Sequence, residues 1–169
     1  MPARSDKETP EMENTRRAKV TTPSEREIVI ERVFDAPRTL VFEARTKAEH
    51  VAHWWDPSGA PLAVCEIDLR PNGAFRFVNS GPDGAKYPFS GFYREITPPS
   101  RLVIGGSSPM SNGESVCTLA FSEQDGKTTL TMTFECQSRA DRDALLQMRV
   151  DEGTTQTLDN LDEYLRTIG

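Results

Sequence analysis

The alternation of apolar and polar positions divides the chain into strand-like and helix-like runs. Glu27–Phe34 alternates and is rich in β-branched residues, which predicts a β-strand. Two short helical runs follow: Asp35 can cap the first, Pro37 suits its first turn, and the second spans about Lys47–Trp54. A series of strand and turn signals comes next, and an amphipathic helix over roughly Arg139–Thr167 ends the chain. At ~1.5 Å per residue this helix would be about 40 Å long, enough to cross a sheet.

This order of elements predicts an α+β fold, in which a long C-terminal helix packs across a curved antiparallel sheet. A helix in that position can leave a pocket beneath it. Residues 1–25 are polar, charged and poor in aliphatic side chains, so we expect a disordered tail. Residues 26–169 are expected to form a single domain, which suits a chain of 169 residues.

The dipeptide Asp125-Gly126 is a strong signal for a two-residue β-hairpin. The register that it sets places apolar residues opposite one another: Phe121 with Leu130, Leu119 with Met132, and Cys117 with Phe134. The other face then carries hydroxyl pairs: Thr118 with Thr133, and Ser122 with Thr129. Turn chemistry and binary pattern agree, so we expect the apolar face to lie on the core.

Two further turns set registers in the other half of the sheet. Pro71-Asn72-Gly73 predicts a three-residue loop with Gly73 in the left-handed conformation, and Asp83 lies at the centre of the next turn. The pairs that result are Leu69 with Phe75, Ile67 with Phe77, Phe77 with Phe89, and Phe75 with Gly91. Beyond them, Gly105–Gly113 is either a plain surface loop or a rim that gates a pocket.

Charge and composition exclude several classes of partner. The net charge is −6 and the isoelectric point is near 5.0, which disfavours nucleic acid and anionic membrane surfaces. No run is long and apolar enough for a membrane span or a signal peptide, so we expect a cytoplasmic protein. Cys65, Cys117 and Cys136 are widely spaced within apolar runs, which is typical of buried free thiols in a reducing compartment.

Five segments carry a resemblance to a known family. They are VFDAPRTLVFEA (Val33–Ala44), HVAHWWDP (His50–Pro57), CEIDLRPNGAFRF (Cys65–Phe77), GPDGAKYPFSGFYREITPPSRLV (Gly81–Val103) and EGTTQTLDNLDEYL (Glu152–Leu165). With them the chain resembles the START-like, helix-grip superfamily, often called SRPBCC. Within it, the chain looks like the bacterial single-domain relatives of the C-terminal domain of the heat-shock-chaperone ATPase activator. The superfamily covers lipid carriers, hormone receptors, cyclases and co-chaperone domains, so the resemblance implies a fold rather than one activity.

The chain departs from that family's pattern at two positions. Asp56 follows the paired tryptophans where the family usually has Gly. Thr154 follows the Gly of the last helix where the family usually has Trp. In relatives this Trp would fill space under the helix, so Thr154 should leave room there or let neighbouring side chains move in.

The resemblance and the strand registers together indicate which side chains would line a pocket between sheet and helix. Because Trp54 and Trp55 project about 100° apart on a helix, one can be core while the other borders a pocket, or both can be structural. The aromatic stripe on the sheet is either plain core or a ligand box, and the Tyr93 hydroxyl would orient a ligand or bond a neighbour. The pocket candidates are Trp55, Phe77, Phe89, Tyr93, Met132, Met148, Thr154 and Leu158.

No motif for catalysis or cofactor binding is present. The chain has no Gly-rich phosphate loop, no GxSxG and no HExxH, so we expect no cofactor and name no catalytic residue. His50 and His53 are three apart but lack two further metal donors nearby, which favours surface histidines over a metal site. An enzyme would have to use polar groups inside the pocket, for which Tyr93, Glu152 and Gln156 are the candidates.

Three hypotheses for function therefore remain. The first is a carrier or sensor for a small and largely apolar molecule, which could have a role in stress responses. The second is a protein-interaction module that stimulates a heat-shock chaperone ATPase, and the third is an enzyme of the cyclase or hydrolase kind. An apolar pocket favours the first, a filled core the second, and a buried carboxylate beside a His or Tyr the third. The sequence predicts no oligomeric state.

Overall fold

A computed structural model describes residues 18–81, 83–107 and 114–168. The strands of this part are β1 (Lys19–Thr21), β2 (Glu27–Phe34), β3 (Val64–Ile67), β4 (Ala74–Ser80), β5 (Lys86–Thr97), β6 (Arg101–Ser107), β7 (Glu114–Gln124) and β8 (Lys127–Glu135). Its helices are α1 (Arg38–Thr46), α2 (Ala48–Trp54), α3 (Arg139–Gln147) and α4 (Val150–Ile168). The strands form one antiparallel sheet in the order β1-β2-β8-β7-β6-β5-β4-β3. The α+β helix-grip fold expected from the sequence is therefore confirmed.

The connectivity explains where the first two helices lie. Strands β3 to β8 follow one another as a meander, and β2 pairs with β8 at its end. The chain must therefore travel from β2 to β3 at the far edge of the sheet, and α1 and α2 make that crossing. Strand β1 pairs with β2 through Lys19–Thr21, which lie in the segment predicted to be a tail. Residues 1–17 of that segment lie outside the described residues.

The predicted β7–β8 hairpin is confirmed. Asp125 and Gly126 both have positive φ, 54° and 77°, as a two-residue turn requires. The expected apolar pairs form, Phe121 with Leu130, Leu119 with Met132, and Cys117 with Phe134, as do the two hydroxyl pairs on the other face. The turn around Asp83 also gives the expected pairs, Phe77 with Phe89 and Phe75 with Gly91.

The predicted β3–β4 register is wrong by two residues. Ile67 lies opposite Phe75, and Leu69 is 41% exposed in the loop instead of facing the core. The loop is longer because its backbone bonds to Tyr93 in β5: Asn72 N donates to Tyr93 O, and Tyr93 N donates to Gly73 O. Asn72, not the glycine, has the positive φ of 67°. Gly73 is needed for a different reason, since a Cβ there would lie 2.0 Å from a backbone oxygen.

The predicted single C-terminal helix is two helices. Ser138 caps α3, accepting a 3.0 Å hydrogen bond from Asp141 N. The helical path breaks at Met148-Arg149, where Arg149 has a φ of 60°. Helix α4 then runs for 19 residues, about 28 Å at ~1.5 Å per residue. Its start at Val150 is supported by Asp151 and Glu152 in the first turn, where acidic side chains favour a helix N-terminus.

The core lies between the inner face of the sheet and the helices α1, α2 and α4. From α4 the residues Leu158, Leu161 and Leu165 are at most 4% exposed. Trp54 of α2 is fully buried, and its indole Nε1 donates to Ala44 O at 3.0 Å. Burying one side of α4 holds the helix against α1, α2 and β2.

An ion pair with a buried arginine anchors α4 on strand β2, which lies next to the edge strand β1. Arg32 shares the inner face with Ile30 and Phe34 and is only 4% exposed. Its Nη1 bonds to Asp159 Oδ1, and its Nη2 lies 3.5 Å from Asp162 Oδ2. An apolar sheet face therefore carries one cation, and the carboxylates that match it come from the helix.

Removing the two carboxylates should destabilise the fold more than removing the arginine. We expect Asp159→Asn/Asp162→Asn to lower the free energy of unfolding by about 3 kcal/mol, at the lower end for a broken buried pair because Asp159 is half-exposed. Arg32→Met should cost less, since the remaining carboxylates can be hydrated. Urea denaturation measures both. The exposed pair of Asp68 and Arg70 provides the control, and Asp68→Asn should change stability by no more than about 0.5 kcal/mol. If Arg32→Met lowered the free energy of unfolding more than the double aspartate variant does, Arg32 would not be the buried charge that needs compensation.

Candidate functional site

A cavity of about 470 Å³ lies where α4 leaves part of the sheet uncovered. Its floor is the inner face of β4 to β8, one wall is the end of α1 and α2 with Trp55, and the opposite wall is the α3–α4 junction with the first two turns of α4. Most of the lining surface is apolar. The size falls in the range of roughly 300–1,000 Å³ that is typical of small-molecule sites.

Aromatic side chains from the sheet and from α2 form one continuous group. Trp55 lies over Phe77 and Phe89, with ring centroids 4.8 and 5.4 Å away. Phe75 stacks on Phe77 at 5.1 Å and meets Tyr93 at 5.4 Å. These distances are those of favourable aromatic pairs, so the wall is held in place by its own contacts.

A glycine in β5 makes room for one of these rings. Gly91 lies opposite Phe75, and a Cβ on Gly91 would be 2.7 Å from Phe75 Cζ and 2.8 Å from the backbone oxygen of Gly105. The ring of Phe75 therefore lies directly over the glycine, close to the sheet, and does not project further into the cavity.

The mouth of the cavity exposes large apolar side chains to solvent. Tyr87 and Phe89 of β5 are 57% and 46% exposed, and Met148 at the helix break is 39% exposed. All three line the cavity. The opening therefore lies between the start of β5 and the junction of α3 with α4. Residues 108–113, the remainder of the loop predicted as a possible gate, lie outside the described residues; Gly105 and Gly106 belong to β6.

The inner end of the cavity contains polar groups. Tyr93, Ile104 and Cys117 are cross-strand neighbours on β5, β6 and β7, and they form part of the floor. Arg45, near the end of α1, is 9% exposed and also lines the cavity. Its guanidinium carbon lies 5.1 Å from the Trp54 ring centroid and 5.5 Å from that of Trp55. Such contacts stabilise a cation by about 0.5–2 kcal/mol each.

Burial controls how these polar groups ionise. It lowers the pKa of Arg45, although a guanidinium keeps its proton in proteins. Burial raises the pKa of the Tyr93 hydroxyl to about 12 and that of the Cys117 thiol to about 12, in both cases against the opposing effect of the Arg45 charge. At neutral pH the inner end of the cavity therefore presents one cation and two neutral proton donors.

The structure places most of the sequence candidates around one cavity. Seven of them line the cavity: Trp55, Phe77, Phe89, Tyr93, Met132, Met148 and Thr154. Leu158 does not, because it lies one turn further along α4, fully buried in the core. Whether the seven bind a ligand stays a prediction.

The polar candidates are less well placed, and Arg45 was missed. Glu152 and Gln156 do not line the cavity; both are exposed, with Glu152 near Arg149 and Gln156 bonded to Asn160. A signal for Arg45 exists, since it lies four residues after the buried Val41 on the same side of α1. An arginine at such a position usually extends to solvent, and only the packing of both tryptophans against it shows otherwise.

The two histidines pack against Tyr164 of the C-terminal helix. His50 Nδ1 lies 2.6 Å from the hydroxyl of Tyr164, and the ring of His53 stacks on Tyr164 at 5.5 Å. In the described residues no three metal-ligating side chains come together. None of the helices in the same part has the length and apolar character to cross a membrane.

Fold and cavity together define a helix-grip protein, in which a C-terminal helix and a curved sheet enclose a cavity. Residues 35–166 match the sequence profile of the family described as Activator of Hsp90 ATPase homolog 1-like protein, and the chain belongs to this family. The resemblance seen in the sequence is thereby confirmed. No curated protein matches the chain at a significant level.

Solved structures of small bacterial proteins share the fold. A protein from Nitrosomonas europaea is 25% identical, with a TM-score of 0.77 over 88% of this chain and 100% of its own. A protein from Rhodobacter sphaeroides is 23% identical, with a TM-score of 0.81 over 90% of this chain and 99% of its own. A protein from Mycobacterium smegmatis is 25% identical, with a TM-score of 0.75 over 89% and 100%.

The raised thiol pKa values predict slow alkylation of the native protein. At pH 8 a thiol with its ordinary pKa of about 8.5 is partly ionised, whereas one with a pKa near 12 is almost entirely protonated. Cys117 should therefore react with iodoacetamide on the order of 100-fold more slowly in the native protein than in urea. Cys65, whose pKa is about 11, should react faster than Cys117. Peptide mass spectrometry after timed quenching measures both sites, and equal rates for Cys117 in native and unfolded protein would show that the Arg45 charge outweighs burial.

Proposed function

We propose that this protein binds a small, largely apolar molecule in the cavity between the sheet and α4, as a carrier or a sensor. The observation that carries the proposal is the open, aromatic-lined cavity itself. A folded domain that only needed stability would fill such a space, because each cavity of this kind removes packing contacts from the core. The exposed apolar side chains at the mouth provide an entry route that is itself favourable to an apolar ligand.

The lining supports binding over catalysis. The described residues around the cavity include no Asp or Glu, so no carboxylate is available there as a general acid or base. Tyr93 is protonated, and burial keeps the Cys117 thiol protonated as well. A buried carboxylate beside a His or Tyr inside the pocket would favour the enzyme hypothesis, and that arrangement is not found in the described lining.

Filling the cavity from α4 should block binding. Thr154 lines the cavity wall one turn before Leu158, and Thr154→Trp would place an indole in the space beside it. We expect this variant to lose the ligand-induced thermal shift that fatty acids and apolar dyes give the wild type. The unliganded variant should melt a few degrees higher, because the extra buried apolar area stabilises the fold. A stabilisation of ~1 kcal/mol raises the thermal midpoint by about 2–4 °C at this chain length.

The control is Glu163→Trp, which adds the same side chain to an exposed position of the same helix. It should keep the ligand-induced shift of the wild type. Equal shifts in the wild type and in Thr154→Trp would show that the cavity is not the binding site. No shift in the wild type with any apolar probe would contradict the proposal as a whole.

A chaperone-stimulating role is the second candidate, and family membership is the observation that favours it. It is tested by measuring ATP hydrolysis by an Hsp90-type chaperone with and without an equimolar amount of this protein. Stimulation that persists in Thr154→Trp would assign it to the protein surface. Stimulation that responds to a cavity ligand would instead join the two candidates, with the ligand as the signal.

A further inference from the structure

We propose that the cavity selects ligands that carry a carboxylate on an apolar body, and that Arg45 is the counter-ion for that carboxylate. The inference rests on the proposed function, because it names the chemical class of ligand for the same cavity. The inference goes beyond the proposed function, because a ligand that is apolar throughout would leave the Arg45 guanidinium at the inner end of the cavity without a partner.

Arg45 differs from Arg32, the other buried arginine of the described chain, and from the partly buried Arg142 in having no anion. Arg32 is matched by two carboxylates from α4. Arg142 is 14% exposed and bonds to Asp143 and to the backbone oxygen of Ser24. Arg45 is 91% buried, yet within residues 18–81, 83–107 and 114–168 its side chain makes no hydrogen bond or ion pair. A buried charge without a partner is costly, so its persistence here requires an explanation.

The tryptophans satisfy only part of what the guanidinium needs. Trp54 and Trp55 attract the positive charge through their ring faces. The five N–H groups of a guanidinium donate in its plane and still need acceptors. Since Arg45 lines the cavity, those acceptors have to come from what occupies the cavity, either solvent or a ligand.

The neighbours of Arg45 also select for an acceptor. Tyr93 and Cys117 are close enough to feel its charge, and both keep their protons at neutral pH. No carboxylate among the described lining residues competes for the site. An oxygen anion at this point would accept from the guanidinium and from the Tyr93 hydroxyl together. A ligand with a cationic end would be repelled by the guanidinium.

The charge balance favours a monoanion. Arg149, the other arginine of the lining, is at the helix break and lies 3.7 Å from Glu152, so its charge is already compensated. One uncompensated cation with apolar walls suits a carboxylate, whose two oxygens match the guanidinium fork. A phosphate dianion would bring a second charge into an apolar space that has nothing to neutralise it. The aromatic wall indicates that the body of the ligand includes a ring or an alkyl chain.

The test compares two ligands that share the same body and differ only in the end group, the anionic 6-phenylhexanoate and the neutral 6-phenylhexanamide, by isothermal titration calorimetry at pH 7. The wild type should bind the carboxylate about tenfold or more tightly than the amide, which corresponds to ~1.4 kcal/mol. In Arg45→Met, which keeps an unbranched apolar stem and removes the guanidinium, the ratio should fall to near one while the amide still binds. Arg45→Lys keeps the charge without the planar fork and should retain part of the ratio. Arg70→Met makes the same change of net charge on an exposed loop and should leave the ratio unchanged.

The outcomes separate this inference from the function on which it rests. Equal affinity for both ligands in the wild type overturns the role of Arg45 and leaves an apolar-ligand protein. A preference for the carboxylate that survives in Arg45→Met also overturns it and places the anion elsewhere. Failure of the wild type to bind either ligand or any apolar probe overturns both proposals. If Arg45→Met does not fold, the wild-type ratio and Arg45→Lys decide: a carboxylate preference that weakens with lysine supports the counter-ion.

Discussion

One helix has to cover the inner face of a sheet that is much wider than itself. Strands lie about 4.8 Å apart, so the eight described strands extend over about 34 Å, whereas a helix with its side chains is about 10–12 Å across. Arg32 and the leucines of α4 fix the helix near β2, at one side of the sheet. The cavity lies over the part of the inner face that the helix leaves uncovered in this position. The ion pair thereby determines the site without touching it.

The uncovered half of the sheet is stabilised by aromatic contacts in place of a helix. Trp55 comes from α2 and lies on Phe77 and Phe89, so the crossing connection between β2 and β3 acts as a second, smaller cover. This cover is incomplete, so the rings at the mouth of the cavity leave apolar surface exposed to solvent, which is unfavourable. A buried arginine beneath the same tryptophan adds a second cost. Two unfavourable features at one place, in a domain otherwise well packed, are what a binding site is expected to show.

The parts of the fold that could be predicted are those decided by neighbouring residues. The Asp125-Gly126 turn and the alternation on either side of it specify each other, and the hairpin follows. The sequence mispredicts the loop before Gly73, because the backbone of this loop bonds to Tyr93, which is distant in sequence. The break at Arg149 was missed because a positive φ at an arginine has no local signal. In the site the apolar wall was predictable from strand register, whereas Arg45 was not, since burial of a charged residue depends on contacts between separate elements.

Gly91 has a consequence for the size of the cavity. It does not line the cavity, yet it determines how deeply the ring of Phe75 lies against the sheet. Any larger residue at this position would push that ring inward and would also force β6 away from β5, since the glycine lies close to the Gly105 carbonyl. The volume of the cavity therefore depends on a backbone spacing within the sheet, and two relatives with identical cavity linings could still differ in cavity volume.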